Sequence, residues 1–113
     1  MSADGQVVIA MYRPKPGQDA AVEAILKRHV STLRAAGLAT KRPVRLLKSF
    51  KDGTYLEIFE WVDGNAAEMA HMHPKVMEVW DALGAVADYV SLGSLAEAGS
   101  PFPHFRPVDG VEA

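Results

Sequence analysis

The run Tyr55-Leu56-Glu57-Ile58-Phe59-Glu60-Trp61 constrains this chain most. Seven residues rich in aromatic and large apolar types, with side chains alternating between two sides, read as a strand. Leu56 and Ile58 fall on one face; Tyr55, Glu57, Phe59 and Trp61 fall on the other. Both faces are largely apolar, so both require cover. The Leu56/Ile58 face is the natural partner for helices. The aromatic face is then left open, and an exposed apolar patch of that kind marks an interface or a binding groove. A second copy of the sheet packed face to face would bury it with twofold symmetry. The alternative cover is the chain's own tail, Pro101 to Val108. On this reading a half-buried cavity lies on the outer face of the sheet, beside a homodimer contact.

The neighbouring segments supply the rest of the fold. Val7 to Arg13 reads as a first strand, with Val7, Ile9 and Met11 on one face and Val8, Ala10 and Tyr12 on the other. Pro14-Lys15-Pro16-Gly17 stops it. From about Gln18 to Ala36 the period changes. Val22, Ile25, Leu26, His29, Val30 and Leu33 recur every three or four residues, as on one helical stripe. Gly37 suits a left-handed cap. Val44 to Phe50 is a second strand, joined to the third (Tyr55 to Val62) by the turn signal Asp52-Gly53. Asp63-Gly64-Asn65 leads into a helical segment from about Ala66 to Met72. Pro74 suits the first turn of another helix, whose stripe is Val76, Met77, Trp80, Leu83, Val86 and Ala87. Tyr89 to Leu95 reads as a fourth strand before a proline-containing tail.

The order β-α-β-β-α-β predicts an α+β, ferredoxin-like fold: a four-stranded antiparallel sheet with helices on one face. A chain of 113 residues fits a single domain, with its core at about 6–96 and a tail at 97–113. The absence of cysteine excludes disulfides and thiolate chemistry. The formal net charge is −2 and no basic stripe is evident, so no nucleic-acid partner is expected. Met1 to Gln6 lacks the features of a signal peptide. No apolar run approaches the ~20 residues that span a bilayer. No membrane association is expected, and a cytoplasmic location follows.

Several residues are able to carry chemistry. His71 is a candidate general base or proton relay, because imidazole titrates near neutral pH. A helix-face histidine bonded to backbone is the plainer account. His71 and His73 sit two apart, point in different directions on a regular helix, and do not easily share a metal. Glu57, between Tyr55 and Phe59, would be partly desolvated, which can make a carboxylate a useful base. The plainer account is a salt bridge to Arg13 or Arg45. Phe59, Trp61 and Trp80 are candidates to line a pocket for a planar ligand, together with Tyr55 and His73. Trp80, spaced helically from Met77 and Leu83, equally suits the core. His29 reads as a satisfied core histidine. His104 belongs to a stiff aromatic tail that could lie over a pocket.

The element order, the strand Tyr55–Trp61 and Ala70-His71 some ten residues later resemble the antibiotic biosynthesis monooxygenase-like family over about residues 6–96. That resemblance implies a dimeric α/β barrel with a pocket between sheet and helices. Its members include cofactor-free quinone-forming monooxygenases, haem-degrading enzymes and proteins with no known activity. Haem-degrading members use an Asn on the first strand, a Trp and a haem-ligating His. Trp61 and His71 look like the last two, but the first strand has no Asn; Met11 and Tyr12 stand near that place. The expected activity is a cofactor-independent oxygenation of a small aromatic or polyketide-like ligand, with neither cofactor nor metal. The alternatives are a dimer that binds a small ligand or haem without turnover, and a purely structural dimer.

Overall fold

Strand β1 (Gln6–Pro14) leads into helix α1 (Asp19–Ala35), then strands β2 (Arg45–Ser49) and β3 (Tyr55–Trp61). Helices α2 (Ala66–Ala70) and α3 (Pro74–Val86) follow, then strands β4 (Ala87–Val90) and β5 (Phe105–Pro107). This computed structural model describes residues 4–112, so the reading of Met1 to Gln6 falls partly outside the described residues. The sheet order is β4-β1-β3-β2-β5, and every pairing is antiparallel. The first four strands have the ferredoxin-like arrangement.

The tail adds a fifth strand that its sequence did not announce. Phe105–Pro107 pairs with β2, placing Pro107 opposite Leu47. Pro107 can sit there because an outermost strand can leave one side unpaired, where a missing N–H costs nothing. The fourth strand starts and ends earlier than expected. Its last partner is Val90 opposite Met11. Residues Leu92–Ser94 form a 3-10 turn instead, in which the Ser94 hydroxyl donates to the Ser91 carbonyl. Short serine side chains offer the backbone such local alternatives to a ladder.

Helix α1 buries the six residues of its predicted stripe, Val22, Ile25, Leu26, His29, Val30 and Leu33. It ends in a Schellman cap. Gly37 adopts a φ of 76°, its N–H bonds the Arg34 carbonyl, and the Leu38 N–H bonds the Leu33 carbonyl. Helix α3 begins at Pro74, after His73 in an extended conformation, and buries Val76, Val79 and Leu83. The two helices lie side by side on one face of the sheet.

That face is the aromatic one, which reverses the orientation read from sequence. Tyr55, Glu57 and Phe59 are buried, and the two rings belong to the clusters that hold α1 and α3 to the sheet. Tyr12 lies opposite Tyr55, and Val8 lies opposite Phe59, so β1 turns the same parity toward the helices. The outer face carries Val7, Ile9, Leu56 and Ile58 instead. Successive side chains alternate sides, so an error of one residue in parity exchanges the whole pattern. Here both sides are apolar, and the pattern carried no sign of which was which. Leu and Ile pack well under helices, which is why the sequence points the aromatic face outward. The larger rings in fact fill the deeper sheet–helix gap. The tail covers part of the outer face, with buried Leu95 and half-buried Phe105 bordering a groove over Leu56 and Ile58.

Candidate functional site

A cavity of about 530 Å³ opens between the sheet and the helices. This corrects its expected place on the outer face. Val8, Ala10 and Tyr12 of β1, Phe59 and Trp61 of β3 and Tyr89 of β4 form its floor. His29 of α1, Trp80 of α3 and His71, just past α2, form the helical side. The aromatic rings pack edge to face: Phe59 with Trp61 at 4.9 Å, and His71 with Trp80 at 4.9 Å between centroids.

The polar groups of the site form one chain of hydrogen bonds. His29 Nδ1 approaches Glu57 Oε1 at 2.8 Å and Oε2 at 3.0 Å. The Tyr12 hydroxyl donates to the same Oε1 at 2.9 Å. Trp80 Nε1–H donates to His29 Nε2 at 2.8 Å. An indole N–H can only donate, so Nε2 must carry the lone pair. The proton of His29 therefore sits on Nδ1 and is given to Glu57. This fixes a neutral imidazole in one tautomer, held between a carboxylate and an indole. Burial is the first reason that the Tyr12 phenol is pushed well above its ordinary pKa; the charge of Glu57 and the bond to it act in the same direction.

Sequence reasoning placed these residues unevenly. Phe59, Trp61, Trp80 and His71 meet at the cavity. Glu57 is fully buried behind its wall and reaches it only through His29 and Tyr12. Neither Arg13 nor Arg45 pairs with Glu57. Arg13 faces the other side of the sheet, bonding Thr54 Oγ1 and the Ser94 carbonyl, and Arg45 lies on that side opposite Ile58. Tyr55 is not a cavity residue. It is buried beneath the first turns of α1, and its hydroxyl donates to Asp19 and Glu23. His73 also falls outside. As the residue preceding α3, it borders a separate surface depression with Ser31 and Thr32 of α1. His104 is exposed in the tail near Phe50, away from the cavity.

His29 is the buried, satisfied histidine that the sequence implies; that it also lines the cavity, with Tyr12 and Tyr89, is new. A signal existed for His29. It is the one polar side chain on an otherwise apolar helical stripe, and Glu57 is the one polar side chain on the aromatic strand face ahead of Trp61. Two polar groups buried on facing elements must find partners, and here they find each other. Among the described residues, no group of three or more His, Cys, Asp or Glu side chains is arranged to hold a metal ion. Among the same residues, no helix is long and apolar enough to cross a membrane.

The crystal structure of SnoaB, a cofactor-independent oxygenase from Streptomyces nogalater, matches this structure with a TM-score of 0.63. The chain has the SnoaB fold. The match covers 78% of this chain and 88% of SnoaB, at 24% sequence identity. That fold is the one the resemblance read from the sequence implies. The likeness at that identity is one of fold. No family model and no curated protein matches the sequence.

Proposed function

We propose that this chain is a single-domain, cytoplasmic homodimer whose sheet–helix cavity binds a small aromatic or polyketide-like molecule and oxygenates it without a cofactor. One observation carries the reading: an aromatic-walled cavity with two imidazoles, His29 and His71, on its helical side. Flat apolar ligands suit such walls, and the volume falls within the range of small-molecule sites. An electron-rich substrate anion can react with dioxygen directly. The protein then needs to exclude water and to accept a proton. His71, exposed at the cavity rim, would relay the proton toward solvent. Glu57 acts from behind the wall. The activity recorded for SnoaB is in keeping with this chemistry. The dimer would form through the outer face of the sheet, where Val7 and Ile9 are 64% and 43% exposed.

The test is incubation with a panel of phenolic and polyketide-like compounds in air and under anaerobic conditions, following oxygen uptake and products. Oxygen-dependent product is expected, reduced by about 100-fold in His71→Ala, as for loss of a proton relay. No oxygen-dependent turnover across the panel would sink the oxygenase reading.

A dimer that binds without turnover is the second reading. One observation favours it: the lone pair of His29 Nε2 is already occupied by Trp80. Titration with haem separates its branches. A Soret shift abolished by His71→Ala supports ligation, and no shift removes the haem branch.

A further inference from the structure

We propose that His29 is the proton acceptor for a phenolic or enolic hydroxyl bound in the cavity, with Glu57 and Trp80 as positioning residues and the Trp80 indole as a shutter over the accepting nitrogen. The proposal rests on the cavity being a ligand site, as in the reading above, and adds the atom that receives the proton.

The geometry gives His29 three properties that His71 lacks. It is 2% exposed, so its lone pair is shielded from bulk water. Its Nδ1–H is locked onto the Glu57 carboxylate, which leaves Nε2 as the basic atom and would stabilise the imidazolium once formed. Its Nε2 is held by the indole N–H of Trp80, a half-buried residue that lines the cavity with it. His71, by contrast, is exposed at the rim and packs by its ring edge against Trp80.

The indole is a donor and nothing else. A ligand hydroxyl is also a donor, so it can take the place of the Trp80 N–H on Nε2 without leaving the imidazole unsatisfied. The step that follows balances simply. The ligand O–H bond breaks, an Nε2–H bond forms, and the ligand is left as a phenolate or enolate beside an imidazolium–carboxylate pair. Imidazolium cannot accept from Trp80, so the shutter stays open until the proton is returned. The ionisable groups around His29 are Glu57 on β3, Tyr12 on β1 and, beyond Trp80, His71 after α2. A histidine–carboxylate pair is also a poor choice for stability alone, since well-packed apolar side chains of similar volume often serve as well.

The probe is 7-hydroxycoumarin, a planar phenol whose excitation spectrum changes on ionisation, compared with 7-methoxycoumarin, which has no proton to give. The wild-type protein is expected to bind both and to raise the anion-to-neutral ratio of the hydroxy compound about tenfold at fixed pH, equivalent to one pKa unit. His29→Gln should still bind the methoxy compound and lose the enhancement. Glu57→Gln should reduce it. Trp80→Phe should bind the phenol about fivefold more tightly, because one neutral hydrogen bond no longer has to be broken. His104→Ala, in the tail, should behave as wild type. If His29→Gln does not fold, the wild-type titration and Trp80→Phe still decide the matter. Binding of both compounds with ordinary phenol ionisation overturns the proposal and leaves the cavity reading intact. Enhancement that survives in His29→Gln, or is lost in His71→Ala alone, also overturns it. Failure of both compounds to bind overturns the cavity reading and the proposal together.

Discussion

Tyr12 and His29 share a single acceptor, each reaching Oε1 of Glu57, at 2.9 and 2.8 Å. One residue comes from β1 and the other from α1, so the carboxylate ties the sheet to the helical layer. It does so between the two apolar clusters that flank it, one around Leu26 and Leu83 and the other around Phe59 and Val76. The interior of the molecule is thus polar at its middle and apolar on both sides.

Removing only the carboxylate leaves two buried donors without partners. Glu57→Ala is therefore expected to destabilise the fold by about 3 kcal/mol, from orphaned donors that cost about 1–3 kcal/mol each. The fourfold change Tyr12→Phe, His29→Leu, Glu57→Met and Trp80→Phe removes every donor of the network together with its acceptors, the Trp80 N–H included. It should recover most of that loss, because an apolar replacement of a whole polar cluster is often neutral. Urea unfolding at constant m-value measures both. If the fourfold variant is as unstable as Glu57→Ala, the network contributes net stability and the assignment of a functional role weakens.

The three tyrosines provide a pH-dependent counterpart. All of them, Tyr12, Tyr55 and Tyr89, are raised above the ordinary phenol value, and burial is the leading cause in each. Tyr12 then feels Glu57, Tyr55 feels Glu23 and Asp19, and Tyr89 feels Asp81. A group whose folded pKa lies above its unfolded value stabilises the fold below the unfolded value. That contribution fades as pH rises beyond it. Stability should therefore decline above about pH 10, the unfolded phenol value. Phenolate absorbance near that pH should remain small in the folded protein and rise on adding denaturant. Full ionisation of three phenols in the folded state near pH 10 would contradict the burial of Tyr12 and Tyr55.

The order of elements along the chain, the α1 stripe and the left-handed cap at Gly37 were legible because each is a local signal. Period, cap and turn residue sit within a few positions of one another. The orientation of β3 was not, because the cue that normally decides it is a polar side. Glu57 and Glu60 fall on opposite faces of that strand, and both faces are otherwise apolar. Only the tertiary partner distinguishes them: Glu57 meets His29, while Glu60 reaches Thr40 and Arg42 near the surface. The same gap hid the site. Phe59, Trp61, His71 and Trp80 were recognisable by type, but His29 becomes functional only when α1 is docked on β3. β5 was hidden for a related reason, since three residues ending in proline carry no strand signal until β2 offers an edge.

The two faces of the sheet should respond differently to substitution. Phe59 is 4% exposed in the core, so Phe59→Ala should cost about 3–5 kcal/mol, the range for truncating a buried ring. Ile9 projects from the outer face, so Ile9→Asp should leave the monomer's stability within about 0.5 kcal/mol, as for a surface change. It should nevertheless shift the protein from dimer to monomer in sedimentation velocity. A wild-type protein that sediments as a monomer, or an Ile9→Asp variant that remains dimeric, would remove the outer face as the dimer contact.

The chain's two tryptophans, Trp61 and Trp80, both border the cavity, which makes intrinsic fluorescence a direct reporter of occupancy. They differ in what they touch. Trp61 packs on Phe59 and makes no hydrogen bond to the imidazole, whereas Trp80 donates to His29. Naphthalene, which has no donor, should quench or shift the emission of both Trp61→Phe and Trp80→Phe proteins, because each retains one reporter beside the ligand. 2-Naphthol adds a hydroxyl to the same ring system. In Trp61→Phe, where Trp80 is the sole emitter, it should produce a larger spectral change than naphthalene, because displacing the indole from His29 moves its N–H into a new environment. In Trp80→Phe the two ligands should produce similar changes. Equal responses to both ligands in Trp61→Phe would mean that the indole stays on His29 when the cavity fills, and that the hydroxyl is bound elsewhere.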